Sequence, residues 1–380
     1  MRDFLWKGVA GRGYAKVSWD HVCRSKVEGG LGLRKLLHVN QALMLKQIWR
    51  LLQRDKQSIW VAWVLVHRLQ NQTVWTAKVG NAPWYWRKLV KLCSIFRPGL
   101  MYRVGDGSMF KLWLDLWHVR GPLITAFPRG PAIMGLPSDS LLQEVLQHGQ
   151  WAWPSVTDFD INEIISSLPP THPGESDTIL WVSNSGKFPM AAALQFLQPS
   201  SPLVPWFGLL EGKFKIPRHN FILWLAIKER LSTLDRLWLG QQGLECVLCD
   251  DHASESHFHL FFNCSYSKRC LAVLRRVVRF CWPGIDWQTA ILWASRRWRG
   301  THLMNAAARA LLAALVYHIW SERNNRRYNC TASSVKSLAL RVIEVVRLRI
   351  ISANIRPCLQ LQILYRVWRI PWHGNANNMM

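Results

Sequence analysis

Between residues 246 and 264 the chain spaces Cys246, Cys249, His259 and Cys264 as C-x2-C-x9-H-x4-C, and no other feature limits its folding more. A C-x2-C pair presents two thiolates from one tight turn. A histidine and a third cysteine from the following segment complete a tetrahedron of zinc ligands. Four protein donors leave no open coordination position, so the expected Zn2+ is structural and holds the loop in place of a core. His257 and His252 are rival nitrogen donors, and Cys270 is a rival sulfur. His259 is preferred because it directly precedes Leu260-Phe261-Phe262, an apolar run able to anchor the loop. Metal is favoured over disulfides because the nine cysteines are odd in number and the chain opens on Met1-Arg2-Asp3, with no apolar signal segment. A redox role for the C-x-x-C is not expected, since no βαβ pattern surrounds it.

The rest of the chain must fold on its own. Its 380 residues are 49% apolar and include 23 Trp and 14 Phe, too much aromatic surface for a solvated tail. The 48 Lys and Arg against 23 Asp and Glu leave a net charge of +25. A charge of that size attracts polyanions, nucleic acid first and anionic membrane second. Abundant aromatics beside the basic residues tip the choice to nucleic acid, because bases stack on rings while phosphates pair with Arg and Lys. The expected partner is therefore RNA or DNA, held in a salt-sensitive way, with no membrane; a protein partner is compatible with the same surface. The most apolar helix candidate, 306–320, is interrupted by Arg309 and His318. It is shorter than the ~20 residues of a membrane span. No transmembrane segment and no secretion are expected, which leaves nucleus or cytoplasm.

Periodicity and turn residues predict a mainly α chain with small β hairpins, of α+β class. Residues 1–118 read as a helical unit: 39–54 places Ala42, Leu45, Ile48, Trp49 and Leu52 on one face, 58–69 forms a second helix and 83–92 a third. Asp106-Gly107, between apolar runs, predicts a hairpin near 102–114. Residues 119–176, rich in Gly and Pro, read as a linker region. A small zinc-stabilised domain over 177–282 follows, with a helix over 218–239 feeding the cysteine cluster. A basic helical tail over 283–380 carries helices at 304–323 and 334–351. From residue 287 onward there are fourteen Lys and Arg against Glu322 and Glu344 alone.

Catalytic signals are missing. A polymerase needs paired carboxylates around two metals. Asp250-Asp251 lie inside the zinc loop, Asp158 and Asp160 share one strand face without a third acid, and Asp106 and Asp115 flank the hairpin, where turn chemistry and solvent explain them. Gly29-Gly30-Leu31-Gly32 is dense in glycine but lacks the strand before and the helix after that a phosphate cradle requires.

Several stretches in order resemble the reverse-transcriptase-like proteins of plant non-LTR (LINE) retrotransposons, in the segment downstream of the polymerase palm. They are Phe4-Leu5-Trp6-Lys7-Gly8, Lys16-Val17-Ser18-Trp19, Lys26 to Gly32, Asn40 to Met44, Gly105-Asp106-Gly107 and Trp113 to Trp117. Further on come Asp177 to Trp181, Gly186-Lys187-Phe188, Pro217-Arg218-His219, Trp224-Leu225-Ala226, Glu255 with His259 to Phe262, and His318 to Asn324. The resemblance implies a reverse transcriptase zinc-binding domain with Zn2+ on Cys246, Cys249, His259 and Cys264. It also implies a role in gripping the RNA template or DNA target during target-primed reverse transcription. The chain begins after the point where the family's catalytic aspartates lie, so no polymerase activity is carried over and the chain is not expected to be an enzyme. Val247 stands where the family often has Pro and Asp250 where Gly is common; neither removes a ligand.

Candidate nucleic-acid contacts are Arg218 and His219 before the helix leading to the knuckle, and Arg296, Arg297 and Arg299 around Trp298. Arg341, Arg347 and Arg349 join them on the last helix, beside an apolar stripe of Leu338, Val342 and Val345. Tryptophans 60, 63, 75, 84, 86, 113 and 117 are expected in the core. Two other functions fit the same residues: a scaffold that uses the zinc domain and the Trp-rich unit for protein contacts, and a polymerase fragment completed in trans.

Overall fold

The computed structural model describes residues 6, 14–55, 57–70, 72–154, 159–181, 188, 190–236 and 244–371. Phe4-Leu5, Lys7-Gly8, Asp158, Gly186-Lys187 and the end of the helix expected over 218–239 lie outside them. The chain is mainly helical with two-stranded sheets, as the sequence predicts. It divides into two compact units, the first made of Met1–Leu33 with Ser201–Met380 and the second of Arg34–Ser200. The division thus falls at 33/34 and 200/201, while the sequence expectation set boundaries at 118, 176 and 282.

In the second unit, helix Leu36–Leu52 buries Met44, Leu45, Ile48, Trp49, Leu51 and Leu52 along one face. Ser58 caps Ile59–Val64 by accepting from the Val61 amide, and the helix continues as the wider turn Leu65–Leu69. Trp84–Phe96 starts directly after Pro83, whose fixed φ suits a helix entry. These helices share a core with Phe110, Leu112 and Trp113, all at most 1% exposed. Segment 119–176, expected as a linker, supplies Leu123, Leu142, Val145 and Ile164 to that same core. Gly and Pro there make tight turns between buried side chains. Asp160, expected on a strand face, lies in the helix Phe159–Ser166.

The hairpin expected near 102–114 does not form. Strand Leu100–Arg103 pairs antiparallel with Thr178–Trp181, Tyr102 opposite Ile179. The reason is Asp177. Its Oδ1 accepts from the amides of Gly105 (2.8 Å) and Gly107 (3.1 Å), and its Oδ2 from Met109 (2.9 Å) and Phe110 (3.2 Å). Amides turned inward to one carboxylate cannot ladder with a partner strand. A side chain at Gly105 would sit 2.2 Å from the Glu175 carbonyl, so only glycine fits there. Asp177→Ala should cost the unit about 3 kcal/mol, since several charge-assisted bonds go at once. Urea denaturation reads it, and a loss under about 1 kcal/mol would show that the loop holds itself. Asp115, expected in solvent, is 7% exposed and accepts from the Lys111 amide, and burial pushes its carboxyl up to about 6.

In the first unit, the long helix Leu303–Tyr328 runs through the core. It is the one described helix long and apolar enough to cross a membrane, and 78% of its apolar window is buried inside the protein. Ala306, Ala307, Ala310, Ala313 and Ala314 keep its faces thin, so Pro217–Ile227 and Val335–Ile351 pack closely against it. The helix expected over 218–239 ends at Ile227, and a single turn follows at Leu234–Arg236. Helices Ser265–Val278, Trp287–Arg297 and Leu359–Trp368 complete the layer. Residues 14–33 belong here: the Trp224 indole donates to the Gly29 carbonyl (2.9 Å), Val204 to Val27 (2.8 Å) and the Ser201 amide to Glu28 (2.9 Å). Gly29 has φ +81° and its neighbour Gly30 leaves no room for a side chain against the Arg24 carbonyl. The glycine-dense stretch is therefore a packed turn.

Candidate metal centre

The knuckle is a short ribbon. Cys246 donates to the Ala253 carbonyl (2.9 Å) and Glu255 to Leu244 (2.7 Å), with Cys249 in the turn between. The other two donors come from one wide helical turn, His259–Asn263, in which the Cys264 amide bonds the His259 carbonyl at 2.7 Å. An i→i+5 bond sets two residues five apart on one side, so the H-x4-C spacing is the spacing of this turn. The four donor atoms lie within 4.8 Å of one another, and Cys249 Sγ is 3.3 Å from His259 Nε2. Ligands of a tetrahedral zinc stand about 3.5–3.8 Å apart at ordinary bond lengths, so the cluster fits the ion with small adjustments. Each of the four is at most 9% exposed.

Of the three cysteines, electrostatics favour the thiolate at Cys264. Cys264 begins helix Ser265–Val278, and a hydrogen bond from Cys246 followed by the Ser267 and Tyr266 amides pull its thiol down to about 5. The same bond and burial push Cys246 up, and burial raises Cys249. The rival donors lie elsewhere. His257 packs edge-on against Trp287 at 5.1 Å, held near 4 by burial; exposed His252 faces Glu245; Cys270, pushed up to about 12 by burial, sits near the Val335 carbonyl. Asp251 accepts from the Ser265 amide at the start of the helix.

The centre is bolted to the long helix by two arginines that sequence reasoning quoted or passed over without a partner. Arg323, 1% exposed, grips Glu255, 0% exposed, through Nε at 2.9 Å and Nη2 at 2.6 Å. Glu255 also accepts from the Leu234 amide at 3.0 Å. Arg326 donates to the knuckle carbonyls of Val247 (3.3 Å) and Leu248 (3.2 Å) while pairing with Glu322 and lying over Tyr266. The available signal was a pair of basic residues three apart on one helix, but nothing in the sequence indicated what they face.

The basic candidates separate by exposure. Arg218 is exposed with its guanidinium over Tyr317. His219 is 6% exposed, stacked on Tyr317 at 4.3 Å, so it offers no face to phosphate. Arg296, Arg297 and Arg299 are exposed, while Trp298 between them packs inward on Phe280 and Trp293. On Val335–Ile351 the buried stripe is Leu338, Ala339, Val342, Ile343, Val346 and Ile350, with Val345 half-buried. Arg341 points outward, but Arg347 donates to the Trp368 carbonyl and pairs with Glu344, and Arg349 donates to Lys215. Those last two guanidiniums join chain segments together. Of the seven tryptophans expected in the core, Trp86, Trp113 and Trp117 are buried, whereas Trp63 and Trp84 stand exposed beside Arg68 and Lys88.

His219 and His318 sit in this core as neutral rings, each pulled down to about 4 by burial, with Arg218 and Arg341 adding to it. Below the ordinary 6.5 the unfolded chain binds protons that the folded one refuses, so stability falls as pH drops from 6.5 to about 4. Unfolding near pH 5 should take up about two protons at these rings and a third at His257, which burial holds equally low. Urea midpoints against pH read it, and a flat profile through that window would contradict the burial.

Residues 188–270, which contain the whole cluster, match the family described as zinc-binding in reverse transcriptase. An Arabidopsis thaliana protein described as an uncharacterized mitochondrial protein is 32% identical over 126 residues, covering 31% of this chain and 77% of that protein. The chain belongs to the retrotransposon reverse-transcriptase-like proteins. A second similar Arabidopsis protein, named "Putative ribonuclease H protein", is 26% identical over 301 residues, 74% of this chain. The chain spans 44% of that relative's length. No solved structure matches the chain. Within this family the matched segment is a zinc-binding domain, and here it carries a Cys3His cluster.

Proposed function

We propose that the chain is a zinc-stabilised nucleic-acid-binding module of a retrotransposon reverse transcriptase, gripping RNA template or DNA target without catalysing a reaction itself. The observation that carries the reading is the closed set of four buried donors, bolted by Glu255–Arg323 and Arg326 to the core whose surface bears Arg218, Arg296, Arg297, Arg299 and Arg341. Zn2+ on Cys246, Cys249, His259 and Cys264 has no coordination position left for substrate, so its task is to fix the loop. The ribonuclease H name of the relative and the net charge of +25 support nucleic acid as partner. The expected compartment is nucleus or cytoplasm.

The test is fluorescence anisotropy of single- and double-stranded oligonucleotides over a salt series. Log affinity should fall linearly with log salt, losing at least about tenfold between 50 and 200 mM. Arg296→Ala, Arg297→Ala and Arg299→Ala together should shallow the slope by about two units. Binding to a protein that survives salt, with no oligonucleotide binding, would move the assignment to the scaffold role.

A further inference from the structure

The first unit holds a cavity of about 1110 Å3 between segment 203–213 and the start of the long helix. Leu203, Val204 and Phe207 form an apolar wall, and Trp298, Lys213, Arg296, Arg299 and Arg309 also line the cavity, making it basic. Arg309 is 8% exposed, and its Nη1 donates to the carbonyls of Trp298 and Gly300. Its Nε is buried with no partner. Burial lowers its pKa with no carboxylate opposing the effect, yet a guanidinium keeps its proton. The one acid lining the cavity, Glu211, is already committed to Lys26 (2.8 Å) and Lys215 (2.9 Å). A side chain added at Gly212 would press on the guanidinium at 3.1 Å, so the glycine leaves the arginine its place.

A buried cation without a counter-charge is unfavourable unless an anion completes it. The guanidinium without a counter-charge, the three further cations and the positive end of the long helix at the rim all favour the same sign of ligand. The apolar wall shows what else that ligand carries. A bare inorganic anion would leave Leu203, Val204 and Phe207 wet, whereas a base offers a flat face to match them. We propose that this cavity binds a nucleotide through its 5′-phosphate, with the phosphate on Arg309 and the base against the wall of Leu203, Val204 and Phe207. The assignment rests on the nucleic-acid reading for the nature of the ligand. It does not rest on it for the presence of an anion site.

The experiment is calorimetric titration of the full chain with deoxyadenosine 5′-monophosphate, deoxyadenosine and inorganic phosphate, and with a single-stranded oligonucleotide with and without a 5′-phosphate. The monophosphate should bind about tenfold tighter than the nucleoside or inorganic phosphate alone, as expected of charge-assisted bonds to a buried guanidinium. Arg309→Met should erase that gain. If this buried substitution unfolds the chain, Arg296→Ala with Arg299→Ala decides, because both side chains are exposed; the gain should then shrink about threefold or more. A gain that extends to the phosphorylated oligonucleotide assigns the cavity to a strand end, and a gain confined to the monophosphate assigns it to free nucleotide. Equal binding of nucleoside and monophosphate, equal binding of inorganic phosphate and monophosphate, or a gain surviving both variants, overturns the proposal. Loss of salt-sensitive binding to the unphosphorylated oligonucleotide would instead strike the broader nucleic-acid reading, while the monophosphate titration still judges the cavity.

Discussion

Cys264→Ser is expected to release the metal and melt the first unit, the largest effect of any single change in the chain. Structural zinc contributes about 10–16 kcal/mol in small domains at neutral pH, more than the whole stability of an ordinary domain. Cys264 is fully buried, sits at the head of helix Ser265–Val278 and attracts the thiolate form most strongly, so serine there leaves a poorer donor without changing the backbone. The wild-type chain should hold about one zinc after dialysis, the variant less than a tenth of that. Far-UV circular dichroism should show lost helix. Cys270→Ser, close by but outside the cluster, should retain the ion. A folded wild-type chain carrying no zinc would defeat the metal assignment outright.

The second large effect needs no metal for its argument. Glu255→Ala strands Arg323 in the core, and removing one partner of a buried pair costs about 3–5 kcal/mol. The change also orphans the Leu234 amide, which now donates to Glu255. Because a buried cation is worse than none, Glu255→Ala combined with Arg323→Leu should recover a large share of the loss. Urea denaturation of the two single variants and the double variant forms the cycle. If the double variant is no more stable than Glu255→Ala alone, the guanidinium is not the source of the damage.

Much of the local structure could be read from the chain. The H-x4-C spacing, the apolar faces at 39–54, 304–323 and 334–351 and the basic surface follow from periodicity and donor chemistry, which act over short stretches. The choice between His257 and His259 could not be read so well, because it turns on one wide helical turn at His259–Asn263. Long-range pairings were out of reach. Asp177 and Gly105-Asp106-Gly107 were each singled out, yet that the carboxylate gathers four amides some seventy residues away has no local signature. The absent hairpin is a consequence of that gathering. Glu255 and Arg323, 68 residues apart, present the same case. Segment 119–176 misled for another reason: Gly and Pro mark turns, and turns occur inside a core as well as between domains. His219, Arg347 and Arg349 show that a polar residue on an amphipathic helix can as readily pack or tie segments together as face solvent.

The first unit is built from the two ends of the chain, with residues 34–200 intervening, and this sets a timetable for its birth on the ribosome. The turn at Gly29 is made early, but the indole that clasps it belongs to Trp224, 195 residues later. At ordinary rates of synthesis that wait is about 10–40 s, long enough for the intervening unit to finish folding. Until then residues 14–33 remain an unpartnered stretch bearing Tyr14, Val17 and Trp19. A chaperone that holds this stretch, or a pause before Trp224 emerges, would govern how much of the protein reaches its final form.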